Sequence, residues 1–123
     1  MEEEKVILFN HEKLEVYKFT LTFISWLHDV MENAKYNKNV FDQVDRASIS
    51  TLLNIAEGNG KTSGKDHNRY LEIARGSAME CAASLDIMHA KHMIDQQKLT
   101  EGKQILLSIV KMLYKLSSSI INK

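Results

Sequence analysis

The chain has 123 residues, sixteen Lys plus Arg against sixteen Asp plus Glu, one cysteine and no proline. That length suits one domain with one core. The even charge counts against a surface given over entirely to nucleic acid, and the lone Cys81 excludes an internal disulfide and any dependence on an oxidising compartment. No run of consecutive apolar residues approaches the roughly 18–20 of a membrane span. The start, MEEEKVILFN, carries acids where a secretory signal carries a basic region. A cytoplasmic protein without a membrane partner is the expectation.

Absence of proline favours helix, since turns and edge strands recruit proline and helix interiors exclude it. Four segments carry helical period, at about residues 10–34, 40–58, 64–92 and 96–121. In the first, Leu14, Tyr17, Leu21, Ile24, His28 and Met31 recur at steps of three and four, the stripe of a helix packed in a bundle. Val16, Phe23, Trp26, Leu27 and Val30 form a second stripe. Read this way, the first stripe fills the core and Phe23, Trp26 and Val30 form a surplus apolar face, so an oligomer is expected. Asn37 and Asn39 are candidate caps in the break at 36–39.

Helix two turns Phe41, Val44, Ser48, Leu52 and Ile55 inward, with Ile49, Leu53 and Ala56 beside them. It runs into Gly58-Asn59-Gly60, where glycine is expected to supply left-handed residues that stop it. Ser63 with Asp66 resembles a capping box for helix three, whose heptad is Leu71, Ala74, Ala78, Cys81, Leu85, Met88, His92. Its small residues predict a close approach of helix two, with Ser50 opposite Ile73 and Ala74, and Ala47 opposite Gly76 and Ser77. Asp95 is the expected N-cap of helix four, which repeats Leu99, Gly102, Leu106, Ile109, Leu113, Leu116 and Ile120, widened by Ile105 and Met112. Helices of this length with short connections make antiparallel neighbours. The expected architecture is an all-α, antiparallel up-down-up-down four-helix bundle forming one domain over residues 1–123.

Across helices two and three the sequence reads LLNIAEGNGKTSGKDHNRYLEIARGSAMEC. It contains NIAEG at Asn54, Ile55, Ala56, Glu57 and Gly58, then LEIARGS from Leu71 to Ser77, then Glu80. Leu14, Val16 and Tyr17 supply an L-x-V followed by an aromatic. These motifs resemble the S23-like bacterial four-helix-bundle family, the 23S rRNA intervening-sequence proteins, which includes the accessory variability determinants of diversity-generating retroelements. The resemblance implies a bundle protomer in a homo-oligomer, a pentamer, and marks Asn54, Glu57, Gly58, Arg69, Glu72, Arg75, Ser77 and Glu80 as structural motif positions. In the retroelement branch it implies RNA or DNA and a reverse transcriptase as partners, engaged through a strongly basic surface. Two departures stand: Leu52 occupies a place where the family often has proline, and the net charge is zero rather than strongly positive.

The residues offer little chemistry. GNGKTSGKD lacks the glycine spacing of a phosphate-binding loop and follows a helix, not a strand. Asp86, His89 and His92 step by threes, with His28 expected at the same end, but no Glu-x-x-His of a di-iron bundle exists. Cys81 lies in the core stripe with no Cys/His/Asn arrangement, so a small buried hydrophobe is expected rather than a nucleophile. The motif charges Glu57, Arg69, Glu72, Arg75 and Glu80 are expected to form ion pairs within or between subunits. Hence no catalytic residue, cofactor, metal or small-molecule substrate is expected.

Charge is uneven along the chain. After residue 87 the lysines 91, 98, 103, 111, 115 and 123 face only Asp95 and Glu101. Lys98, Lys103, Lys111 and Lys115 are therefore the candidate nucleic-acid contacts, because phosphate binding is electrostatic and collective. The expected function is a non-enzymatic oligomeric scaffold or adaptor for nucleic acid or a nucleic-acid enzyme. The competing expectation is a structural oligomer that binds another protein.

Overall fold

In a computed structural model, residues 6–33 and 38–121 are described. A 3-10 turn, Asn10–Lys13, leads into α1, Glu15–Asn33; then come α2, Lys38–Asn59, α3, Gly64–Ala90, and α4, Gln96–Ile121. The helices contact their neighbours in a ring, α1 with α2, α2 with α3, α3 with α4, and α4 with α1. This is the antiparallel four-helix bundle that the periodicity predicts. Helix four is long and apolar enough, by length and composition, to cross a membrane, but its stripe Leu99, Gly102, Leu106, Ile109 and Leu113 is buried in the bundle.

Helix one differs from expectation. Its buried residues are Val16, Thr20, Phe23, Leu27 and Val30, whereas Leu21 and His28 are exposed and Ile24 is half-buried. The two stripes are therefore exchanged, and Phe23 and Val30 belong to the core. Thr20 is the reason the true stripe is hard to read: a polar residue interrupts it. Its hydroxyl donates to the Val16 carbonyl at 2.7 Å, so burial leaves that donor satisfied.

The stops and caps are partly as expected. Asn37 lies outside the described residues, and Asn39 falls inside α2 rather than capping it. Neither Gly58 nor Gly60 has a positive φ; α2 closes instead with tight turns, Gly60 N–H to Glu57 and Lys61 N–H to Gly58. Ser63 caps α3 by accepting from the Asp66 N–H at 3.1 Å, and Asp95 caps α4 by accepting from the Lys98 N–H at 2.9 Å. The left-handed residue stands at the other end of α3. His92 has φ 61°, and the bonds Met93 N–H to Met88 and His92 N–H to His89 make a Schellman stop. His92 is thus exposed, not the last core position of its heptad.

The α2/α3 approach is close, as the small residues imply, but its register is shifted. Ser50 meets Ser77 Oγ at 2.9 Å instead of facing Ile73 and Ala74. Cys81 lies at the centre of this interface, its Sγ 4.0 Å from the Val44 carbonyl. Burial pushes its thiol up to about 12, far from the thiolate that reacts. Cys81 should therefore resist a thiol reagent at neutral pH until the bundle unfolds. Following labelling against urea tests this: labelling that tracks the loss of helicity is expected, and fast labelling of the native protein would refute the packing.

Candidate functional site

The motif residues gather on the α2/α3 hairpin, where each has a local structural use. Asn54 donates to the Ser50 carbonyl at 2.8 Å and to its hydroxyl at 3.2 Å, tying the serine that meets Ser77. Gly58 allows backbone contact: a Cβ there would lie 2.8 Å from Tyr70 Cβ and 3.2 Å from the His67 carbonyl. Glu57 pairs with Lys61 at 3.4 Å, and Glu80 accepts from Gln43 at 3.0 Å. Arg69 lies over the Tyr70 ring at 4.5 Å and Arg75 over the Tyr114 ring at 5.8 Å, both within cation–π range.

The ion-pair network expected within or between subunits does not form within the subunit: among the described residues these charges do not pair with one another. Glu57, Arg69, Arg75 and Glu80 are answered by near neighbours or aromatic rings instead. Glu72 is exposed. Tyr70 adjoins Arg69 in the sequence, whereas Tyr114 is joined to Arg75 only by the fold.

The four candidate lysines are not brought together. Lys98, at the start of α4, pairs with Glu101 at 3.2 Å, and Lys103 pairs with Asp86 of α3. Only Lys111 and Lys115, near the other end of α4, are exposed without an ion pair among the described residues. Glu101 also accepts from the Trp26 indole N–H at 3.2 Å. That bond, and then Lys98, holds its carboxyl below the usual range.

Among the described residues no three His, Cys, Asp or Glu side chains come together to hold a metal. His28 pairs with Glu32 at 3.3 Å instead of meeting His92. Depressions of about 330 Å³ beside Trp26, Asp29 and Asp95 and about 480 Å³ beside His11, Leu53 and Lys61 line no serine or cysteine next to a histidine.

One titratable group is notable. His67 Nε2 is buried without a hydrogen-bond partner among the described residues, and burial holds the pKa of its imidazole below the ordinary value of 6.5. The unfolded chain therefore binds this proton more readily than the fold does. Its contribution to stability is complete above about pH 6.5 and is lost as pH falls toward the folded value. Denaturation midpoints at pH 7.5, 6.5 and 5.5 should fall in that order. His67→Gln should flatten part of the decline; an unchanged slope would place the proton elsewhere.

Fold and hairpin together define an all-α protein, an antiparallel bundle with its motif residues concentrated where α2 and α3 touch. Residues 12–115 match the family described as 23S rRNA-intervening sequence protein, and the chain belongs to that family. A solved structure from Bacteroides thetaiotaomicron, described as a protein with unknown function from the S23 ribosomal protein family, superposes with a TM-score of 0.77 at 21% identity. The match covers 83% of this chain and 97% of that one, and it shows the shared fold. No curated protein matches the sequence.

Proposed function

We propose that the chain is a non-enzymatic, cytoplasmic, homo-oligomeric scaffold whose assembled surface engages nucleic acid or a nucleic-acid enzyme such as a reverse transcriptase. The observation that carries the scaffold is apolar surface on opposite sides of the protomer. Leu21, Ile49 and Leu53 are exposed on α1 and α2, and Met79, Leu107 and Tyr114 on α3 and α4. Phe23 and Val30 do not contribute, being core residues, so the surplus rests on different side chains from those the periodicity suggested. Contiguous exposed apolar surface commonly marks a contact site, and a ring such as a pentamer would use both sides.

The nucleic-acid part is supported by how the fold sorts charge. Lys13, Lys18, Lys61, Lys65, Arg69, Arg75, Lys111 and Lys115 fall in the half of the bundle holding the α2/α3 turn, against Glu12, Glu15, Glu57, Asp66 and Glu72. Asp29, Glu32, Asp42, Asp45, Glu80, Asp86, Asp95 and Glu101 fall in the other half, against Arg46, Lys91, Lys98 and Lys103. A zero net charge thus coexists with one basic end, which a ring would multiply.

Filter binding to RNA and DNA across a salt series tests this reading. Weak retention with steep salt dependence is expected. Replacing Lys65, Lys111 and Lys115 by glutamine should lower and flatten it, and replacing Lys98 and Lys103, already paired, should change it little. No retention at any salt would favour the protein-binding scaffold, a reading supported by those two neutralised lysines. Light scattering that finds a monomer at micromolar concentration would remove both.

A further inference from the structure

The three most exposed large apolar residues, Leu8, Val6 and Phe9, lie outside the helices. Val6, Ile7, Leu8 and Phe9 are 75%, 51%, 78% and 64% exposed, four in succession. Their root is held: the Glu12 carboxylate accepts from the Leu8 N–H at 2.7 Å and the Phe9 N–H at 2.9 Å. Phe9 stacks on His11, which in turn meets Tyr17. The segment is an anchored arm whose side chains, Phe9 apart from its stack on His11, stand exposed among the described residues.

A matching concavity lies elsewhere. Between α3 and α4 a groove of about 270 Å³ is lined by Met79, Ala82, Leu106, Leu107 and Val110, with Lys103 its one charged residue. We propose that residues 6–9 of one protomer dock in the α3/α4 groove of a second copy, an inference that rests on the oligomeric reading above. Topology excludes docking within one chain. His11 sits against Leu53, Ala56 and Gly60 of α2, so the arm leaves the protomer on the α1/α2 side. Around the ring of helix contacts the α3/α4 groove is on the opposite side.

Charge favours the same pairing. Glu2, Glu3 and Glu4, with Lys5, precede the arm in sequence. Lys111, exposed and without an ion pair among the described residues, follows Leu107 of the groove by one helical turn; Lys103, in the groove itself, is already paired with Asp86. Arm and groove are different surfaces, so the contact is heterologous. Such a contact propagates and, where the rotation between copies closes, gives a ring of any number of subunits, odd numbers included, whereas a self-complementary contact stops at a dimer.

The test uses the full chain. Changing Val6, Ile7 and Leu8 together to serine should convert the oligomer to monomers in light scattering, with the helical circular dichroism retained. Leu107→Asp should do the same from the groove side. Ile7→Cys and Leu107→Cys proteins, refolded together and oxidised, should give a cross-linked dimer on a denaturing gel, and neither alone should; Cys81 is buried and stays out of the reaction. An oligomer that survives both sets of substitutions and yields no cross-link overturns the arm while leaving the oligomer standing. A monomeric wild-type protein overturns both.

Discussion

Phe23→Ala should cost about 3–5 kcal/mol, a typical penalty for emptying a buried phenylalanine site. Against a total stability of roughly 5–15 kcal/mol, that is enough to bring the bundle near its unfolding threshold. Phe23 is 1% exposed, and its ring lies 5.6 Å from that of Trp26. In a monomeric reference state Leu21→Ala, two residues away, should stay within about ±0.5 kcal/mol, as exposed substitutions do. Urea unfolding of both variants checks the pair. Were Leu21→Ala the damaging one, α1 would be rotated from the orientation described and the first stripe would be the core after all.

Gly102→Ala should also destabilise, although alanine is the better helix former by about 1 kcal/mol. A Cβ at Gly102 would stand 2.5 Å from Trp26 Cη2 and 2.6 Å from Leu85 Cδ1. Neither neighbour can retreat freely. The indole is held by Glu101 and by its stack on Phe23, and Leu85 is wholly buried. Overpacking of this kind costs about 1–3 kcal/mol, so the net sign is a loss, accompanied by a shift in Trp26 fluorescence. Gly76 is the control, because a Cβ there meets nothing within 4 Å. In a monomeric reference state Gly76→Ala should stabilise by roughly 0.5–1 kcal/mol. A higher midpoint for Gly102→Ala would show that glycine does not set the distance between α1 and α4.

Much of the fold is legible because helix periodicity, caps and short breaks are local properties. Ser63 and Asp95 cap the helices they precede, and α4 occupies the predicted span. In α3 the stripe from Leu71 to Met88 is buried throughout, between α2 and α4. Family membership is local in the same sense, carried by contiguous motifs on α2 and α3.

The candidate site was less legible, because charge counted along a sequence is not charge gathered in space. Lys98 and Lys103 share a helix with Lys111 and Lys115, but Glu101 and Asp86 neutralise the first two, and Asp86 comes from another helix. The arm at residues 6–9 was visible only as a short apolar run. Its exposure, and the groove across the bundle, needed the packed structure.

By itself, then, the sequence determined four helices, most of their ends, an antiparallel order and a family. Only the tertiary structure decided which arc of α1 is inside. That helix is apolar over two arcs, and its own period rates them alike; the choice falls to whichever arc the flanking α2 and α4 enclose, and Thr20 can join it by bonding to its own helix. The same holds for Gly58 and Gly102. Their sequence positions suggest a turn and a core stripe, but the reason for glycine is the absence of room for one more carbon against Tyr70 or Trp26, a distance that exists only once two helices have met.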